Sequence, residues 1–307
     1  MPKPEIRYGK YLYCIIHTPP RAPSGNRDYP AGIVPTLIRG TGTTPPPPAP
    51  VLFGGAGIVP TLLRETGTTS ETLQMTNLGI GERGDKIHTI DHMGISAVVS
   101  DTPIQEYEES RRNMMAHTLV LEEVMRQCTI LPVRFGTVAP SVDAVLEQVL
   151  KRRYGGLISS FEEVENRIEL GVKAFWYEGV IFQEIIEQNA NIRSLRDSLK
   201  NRQAEQTFYE RIRLGELIEA AMEKKRDEDS EKILEKLRPL VYKTRANKVI
   251  TDKMILNAAF LLDRQREPEF DQVIRKLDAE MQKRVMFKYV GPVPPYNFVN
   301  LVIHWDE

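Results

Sequence analysis

Glu169-Leu170-Gly171-Val172-Lys173-Ala174-Phe175-Trp176-Tyr177 alternates, with Val172, Ala174 and Trp176 on one side and Lys173 on the other. A period of two, with β-branched and aromatic content, reads as a strand with one buried face. Helical periodicity follows almost to Tyr242. Phe182, Ile185, Ile186 and Asn189 share a face; so do Phe208, Ile212, Leu217, Ile218, Ala221 and Met222, and later Ile233, Leu237, Leu240 and Val241. Val249 to Asp252 then suggests a hairpin feeding a buried strand, Met254 to Leu262. A helix over Pro268 to Arg284 carries Phe270, Val273, Ile274, Leu277 and Met281. The chain closes on strand-like Val285 to Val290, the turn Gly291-Pro292-Val293-Pro294-Pro295 and strand-like Phe298 to Ile303. Strand, helices, hairpin, helix, strand is a split βαβ, the ferredoxin-like arrangement with an elongated first helical connection. The expected class is α+β in two domains, not a doubly wound parallel sheet.

Upstream, Gly9 to Thr18 holds Tyr11, Tyr13, Ile15 and Ile16 and is expected as a strand. Lys86 to His92 and Ile95 to Ser100 read as two short strands joined near Met93-Gly94, a hairpin. From Gln105 to Cys128, Met114, Thr118, Leu121, Met125 and Cys128 recur at steps of four, three, four and three, one face of an amphipathic helix. Ile130 to Val138 returns to strand, with Leu131, Val133 and Phe135 on one side and Arg134 on the other. Pro140-Ser141 opens a helix whose Val142, Val145, Leu146 and Val149 share a face. A domain boundary is expected between about residue 137 and residue 167. The division drawn is an N-terminal α+β domain, a small sheet domain, over 1–137, and a C-terminal ferredoxin-like domain with long helices over 138–307.

The N-terminal domain is interrupted over 19–84. Those positions hold 11 of the 21 prolines and 11 of the 20 glycines, a density that resists regular structure. Inside lies a duplication: Ala31 to Thr44 recurs as Ala56 to Thr69, with 12 of 14 positions identical. Two copies are too few for a solenoid, and a tandem duplication points to tolerance of length rather than to a packed element. Pro45 to Pro48 favours extended polyproline geometry, read as linker.

The 307 residues balance 41 Lys plus Arg against 42 Asp plus Glu, a net charge of −1, which argues against nucleic acid and other polyanions as partners. Cys14 and Cys128 each sit in an apolar run, so neither a disulfide framework nor a cysteine zinc site is expected. No window approaches the roughly 18 apolar residues a membrane helix requires, and a cytoplasmic protein that does not engage the lipid membrane is expected.

Candidate sites are few. Gly79-Ile80-Gly81-Glu82-Arg83-Gly84 matches G-x-G-x-x-G, but a strand should precede it and a helix follow, and neither does, so a turn is expected. His88, Asp91 and His92 have the residue types of a metal-dependent enzyme, yet on a strand the two imidazoles lie roughly 13 Å apart. His117 falls on the apolar face of its helix and is read as a core histidine. Lys224 to Asp229 is charge-balanced and read as a solvated helix or turn. There is no nucleophile elbow and no P-loop, so no enzyme and no cofactor are expected. Arg134 projects from a central strand, either to an ion pair with a carboxylate from a covering helix or to a functional face, and the ion pair is favoured. Tyr296 and Phe298 follow the proline-fixed turn, whose preferred reading is a rigid hairpin cap packed on its own sheet, with a partner-binding patch as the alternative.

Gly9-Lys10-Tyr11-Leu12-Tyr13-Cys14-Ile15, Ile95 to Ser100, His117 to Met125 and Ile130 to Thr137 together resemble the gas vesicle protein F/L family. Gly171 to Trp176 and Gly291 to Val299 are similar to its remaining signatures. The chain departs from the pattern at Val293, where the family commonly carries Trp, and in the duplicated insertion. The resemblance implies a non-enzymatic accessory or minor structural protein that assists nucleation and assembly of the gas vesicle shell. The partner it implies is the small, very hydrophobic major shell protein, gas vesicle protein A, together with other gas vesicle accessory proteins. Arg134, Tyr296 and Phe298 are the residues proposed to contact a partner. A hydrophobic shell subunit must be kept from aggregating before it polymerises, and sheet edges or apolar grooves of an α+β scaffold suit that task.

Overall fold

The computed structural model describes residues 7–17, 79–80, 85–177, 179–203 and 205–305. Apart from Gly79 and Ile80, the insertion over 19–84 lies outside the described residues, and with it most of the G-x-G-x-x-G run. The chain forms two compact units. The first takes its described residues from 7–17, 79–80, 85–166 and 293–305, the second from 167–292. The division follows Asn166 instead of residue 137, because the stretch from Val138 onward pairs and packs with the first sheet.

In the first unit β1 (Tyr8–His17), β2 (Ile87–His92) and β3 (Ile95–Pro103) are followed by α1 (Arg111–Met125), β4 (Ile130–Pro132) and β5 (Val138–Ala139). α2 (Val142–Ala144) then runs into a π-helical turn over Val145–Lys151, and α3 (Tyr154–Val164) closes the segment. The sheet order is β2-β3-β1-β4, with β5 also on β1, and every pairing is antiparallel. Met93 at φ 44° and Gly94 at φ 83° make the β2–β3 connection, as a two-residue turn with both central φ values positive requires. β1 is the central strand, and Tyr11 to Ile16 are at most 2% exposed.

Ser110 caps α1 by accepting the Asn113 N–H at 3.3 Å. The helix buries His117, Val120, Leu121 and Val124; of the expected stripe Leu121 is buried and Met125 and Cys128 pack partly buried on the same core, while Met114 stands exposed. Apolar residues surround this helix almost completely, so periodicity leaves its orientation open and the sheet decides it.

The second unit contains β6 (Arg167–Trp176), α4 (Val180–Gln188), α5 (Ala190–Leu199), α6 (Phe208–Leu237), β7 (Lys243–Ala246), β8 (Met254–Asp263), α7 (Glu267–Met281) and β9 (Val285–Val293). Its sheet order is β7-β8-β6-β9, with β8 antiparallel to both β6 and β7. One face packs on the helices through Leu170, Val172, Ala174, Trp176, Phe260 and Leu262. Phe270, Ile274 and Leu277 return that contact from α7, each contributing roughly 1.5–3 kcal/mol of burial.

Two expectations about the end of the chain change. The stretch over Gly291 to Val293 continues β9, and the turn comes later, over residues 296–298. Phe298 to Ile303 makes no strand ladder; Leu301 forms one parallel bridge to Val133 of the first unit. The C-terminal segment thus closes on the first sheet and does not cap its own.

Candidate partner-binding surface

β1 is paired twice along its outer side, by β4 at Cys14–Ile16 and by β5 at Lys10–Tyr11, so residues 133–137 must loop out between them. Backbone bonds pin both ends: Val133 N–H donates to the Tyr13 carbonyl and Leu12 N–H to the Thr137 carbonyl, each at 2.9 Å. Gly136 turns the loop at φ +81°, and its N–H donates to Tyr11 Oη at 3.0 Å. The Thr137 hydroxyl donates to the Arg134 carbonyl at 2.7 Å. Arg134 therefore stands exposed at the tip of a braced loop, not on a strand. Among the described residues its guanidinium meets no carboxylate, so the favoured ion pair is replaced by an open cation.

Beneath the loop lies a buried polar and aromatic cluster. Tyr11 Oη lies 3.1 Å from His117 Nδ1, within hydrogen-bond distance. Tyr13 Oη is 2.9 Å from Ser100 Oγ and accepts the Ile80 N–H at 2.9 Å. The His117 ring stacks on Tyr13 at 5.7 Å and meets the edge of Phe135 at 5.7 Å. Burial lowers the His117 pKa to about 4, opposed by the Val133 backbone. Burial likewise pushes the Tyr13 phenol up to about 12 and holds the Tyr11 phenol higher still. All three rings are neutral at pH 7. His117 is thus a core histidine that sets the floor of the loop, through Tyr11 and Phe135.

The C-terminal segment reaches the same unit. Pro294 and Pro295 are buried, and the Phe298 and Val299 N–H groups donate to the Pro295 carbonyl at 3.1 and 2.9 Å. Tyr296 is left 42% exposed and Phe298 half-buried. Beyond the Leu301 bridge, Arg153 Nη1 donates to the Val302 carbonyl at 2.6 Å. A cleft of about 520 Å³ opens between this tail and the loop, lined by Arg134, Phe135, Thr137, Ile104, His304 and Trp305 among others. Arg134 lines it; Tyr296 and Phe298 stand outside it. The pattern of residues gave no sign of Phe135, His304 and Trp305 as cleft walls, because the pairing that creates it joins positions 133 and 301.

His88 and His92 occupy alternate positions of β2 with Ile90 between them, and His92 rests edge-on against Tyr154 at 5.9 Å. Among the described residues no group of three or more His, Cys, Asp or Glu is placed to hold a metal ion. The described residues contain no helix long and apolar enough to cross a membrane.

A second cleft, of about 660 Å³ in the second unit, is lined by Lys232, Lys236, Glu280, Lys283 and Arg284 over a buried carboxylate, Asp229. Asp229 is 1% exposed, which overturns the solvated reading at this end of the Lys224 to Asp229 run. It accepts from Trp176 Nε1 at 2.9 Å and from Arg284, whose guanidinium also grips Glu184 at 2.6 and 2.9 Å. Desolvation opposes the Arg284 charge, but the bonds to Glu184 and Asp229 outweigh it and hold the group above its usual range. The four side chains tie β6, α4, α6 and the start of β9 together.

Comparison with known proteins places these features in context. Residues 9–300 match the family model described as gas vesicle synthesis protein GvpL/GvpF. Gas vesicle protein F of Streptomyces sp. is 31% identical over 222 residues, covering 72% of this chain and 91% of the relative. The protein of the same name from Microcystis aeruginosa is 29% identical over 224 residues, covering 72% and 91%. The crystal structure of GvpF from Anabaena sp. superposes with a TM-score of 0.69 at 24% identity, covering 96% of this chain and 99% of that one. That of GvpF from Microcystis aeruginosa gives 0.65 at 25% identity, covering 95% and 99%. Both share the mixed architecture of helices and two antiparallel sheets.

Proposed function

The chain belongs to the gas vesicle synthesis protein GvpL/GvpF family, and on that premise we propose that it assists nucleation and assembly of the vesicle shell by binding the major shell protein, gas vesicle protein A. The observation that carries the reading is the family match over residues 9–300, both units included. It acts as an accessory protein without catalysis, in the cytoplasm and at the vesicle, where it meets other accessory proteins.

Arg134, Tyr296 and Phe298 are the proposed contacts. Their support is physical: a braced loop presents a charge that no carboxylate among the described residues neutralises, and a half-exposed aromatic stands on the same unit. Rigid presentation lowers the ordering cost of binding. For the second unit we keep the ferredoxin-like split βαβ description, which the strand order β7-β8-β6-β9 supports.

The test is co-purification of the full chain with tagged gas vesicle protein A, beside a variant lacking residues 19–84 and the variants Arg134→Ala and Tyr296→Ala. Retention of the first two, with at least fivefold less recovery of the others, is expected. Loss of the shell protein by none of the surface variants would remove these residues from the contact. Absence of association with folded full chain would overturn the reading itself.

A further inference from the structure

α1 lays His117, Val120, Leu121 and Val124 against the first unit's core, and away from that contact Met114, Met115 and Leu119 are 40%, 53% and 47% exposed. A single exposed apolar side chain is ordinary on a surface, but three within six positions of one helix form a stripe. Charges bracket it. Arg111 and Arg112 open the helix, and Glu122 and Glu123 stand in its last turn. That order is the reverse of what the helix dipole favours, anions at the N-terminus and cations at the C-terminus. α1 has no acid in its first turn and no base in its last. Arg112 and Glu123 are engaged within their own chain, but Arg111 and Glu122 meet no opposite charge among the described residues.

The pattern is complementary to its own reverse. Arg111, Met115, Leu119 and Glu122 fall within about 80° of one another around the helix, on the side turned from the sheet. If a second α1 is laid across that side antiparallel, about a two-fold axis beside Ala116 and His117, one register brings Arg111 to Glu122, Met115 to Leu119, and the same pairs again in the opposite sense. Each helix then receives at its N-terminus the acid end of the other, which removes the conflict with the dipole at both ends. We propose that the outer face of α1 pairs antiparallel with the same face of a second copy of this chain, Arg111 against Glu122 and Met115 against Leu119. A nucleic acid or an anionic lipid surface is the poorer match, because the face carries both signs, one at each end. A helix of 15 residues is only about 22 Å long. Contact along it alone falls short of the roughly 800 Å² per partner of a stable complex, so the pairing is weak and depends on concentration. It uses none of the residues assigned to the shell protein and stands apart from that reading.

The test is sedimentation velocity of the full chain over a hundredfold range of concentration, where a monomer–dimer equilibrium is expected. Arg111→Glu and Glu122→Arg should each weaken it at least tenfold, by setting like charges in both symmetric contacts. Leu119→Glu should abolish it, and Lys224→Glu on the exposed side of α6 should leave it unchanged. The deciding sample is the mixture: Arg111→Glu chains with Glu122→Arg chains regain both attractions and should form a heterodimer as tight as the unmodified dimer. The double variant should likewise regain self-association, and it should melt higher than the unmodified chain, since its charges agree with the dipole. Circular dichroism checks each variant, and if Leu119→Glu is unfolded, Leu119→Gln is read in its place. A chain monomeric at every concentration, a dimer indifferent to the Leu119 change, or single variants that are not rescued in the mixture would each overturn the proposal. Loss of gas vesicle protein A by the single variants, with self-association unchanged, would also overturn it and assign this face to the shell protein.

Discussion

His117 is the residue whose chemistry most depends on where the fold puts it. Its folded pKa of about 4 lies below the ordinary 6.5, so the unfolded chain takes up the proton first as pH falls. Between those values the unfolded state binds more protons, and stability therefore rises with pH. The contribution is whole above pH 6.5 and is lost on acidification through the folded pKa, amounting to roughly 3 kcal/mol at the limit. Denaturant titrations at steps from pH 7 to pH 4 should show this slope, and His117→Gln should flatten it; an unchanged slope would mean other groups carry the acid sensitivity. Asp229 poses a different problem, a carboxylate buried beneath a cleft. Asp229→Ala leaves Arg284 and the Trp176 N–H without their shared acceptor, a loss expected to cost about 3–5 kcal/mol by urea unfolding. A cost below about 1 kcal/mol would mean that water replaces the carboxylate freely.

Among the elements, β1 and the β6–α6 region were legible because their patterns are unambiguous. Tyr11 to Ile16 read as a strand, and Val172, Ala174 and Trp176 alternate toward the side that packs on helices. The orientation of α1 was not legible, since Met114, Met115 and Leu119 are as apolar as the residues it buries and stand exposed. Nor was the 133–137 loop: Leu131, Val133 and Phe135 alternate as a strand would, and the break comes from two separate strands competing for the same side of β1. Asp229 was hidden in a charge run because its partner Arg284 is 55 positions away. β9 shows how a local motif can mislead, for Gly291 belongs to an extended strand at φ +140° and not to a turn. A Cβ there would stand 2.6 Å from Leu170 Cδ2 and 3.0 Å from the Glu169 carbonyl oxygen. Gly291→Ala should therefore destabilise the second unit by about 1–3 kcal/mol, through strained backbone and overpacking together. Thermal melts would check it, and an unchanged midpoint would mean that β9 can slide away from β6.

At the scale of the molecule, the chain leaves the first unit at Asn166, builds the second over residues 167–292 and returns. The returning segment is bonded to the first unit by the Val133–Leu301 bridge and by Arg153 on the Val302 carbonyl. It covers an edge that β4, three residues long, leaves short. The second unit holds its own core, from Leu170 and Phe260 to Ile274 and Leu277, and draws on none of these tail contacts. Truncation after Val293 should consequently act on one unit only. Denaturant unfolding followed by amide exchange should show faster exchange in β1, β4 and β5, while the amides of β6 and β8 keep their protection. If the proposed shell-protein contact is made by Arg134, Tyr296 and Phe298, truncation should also weaken recovery of gas vesicle protein A, because it removes the two aromatics and one wall of the cleft beside Arg134. Uniform loss of protection in both sheets would mean that the two units fold as one cooperative body, and that the tail stabilises them jointly.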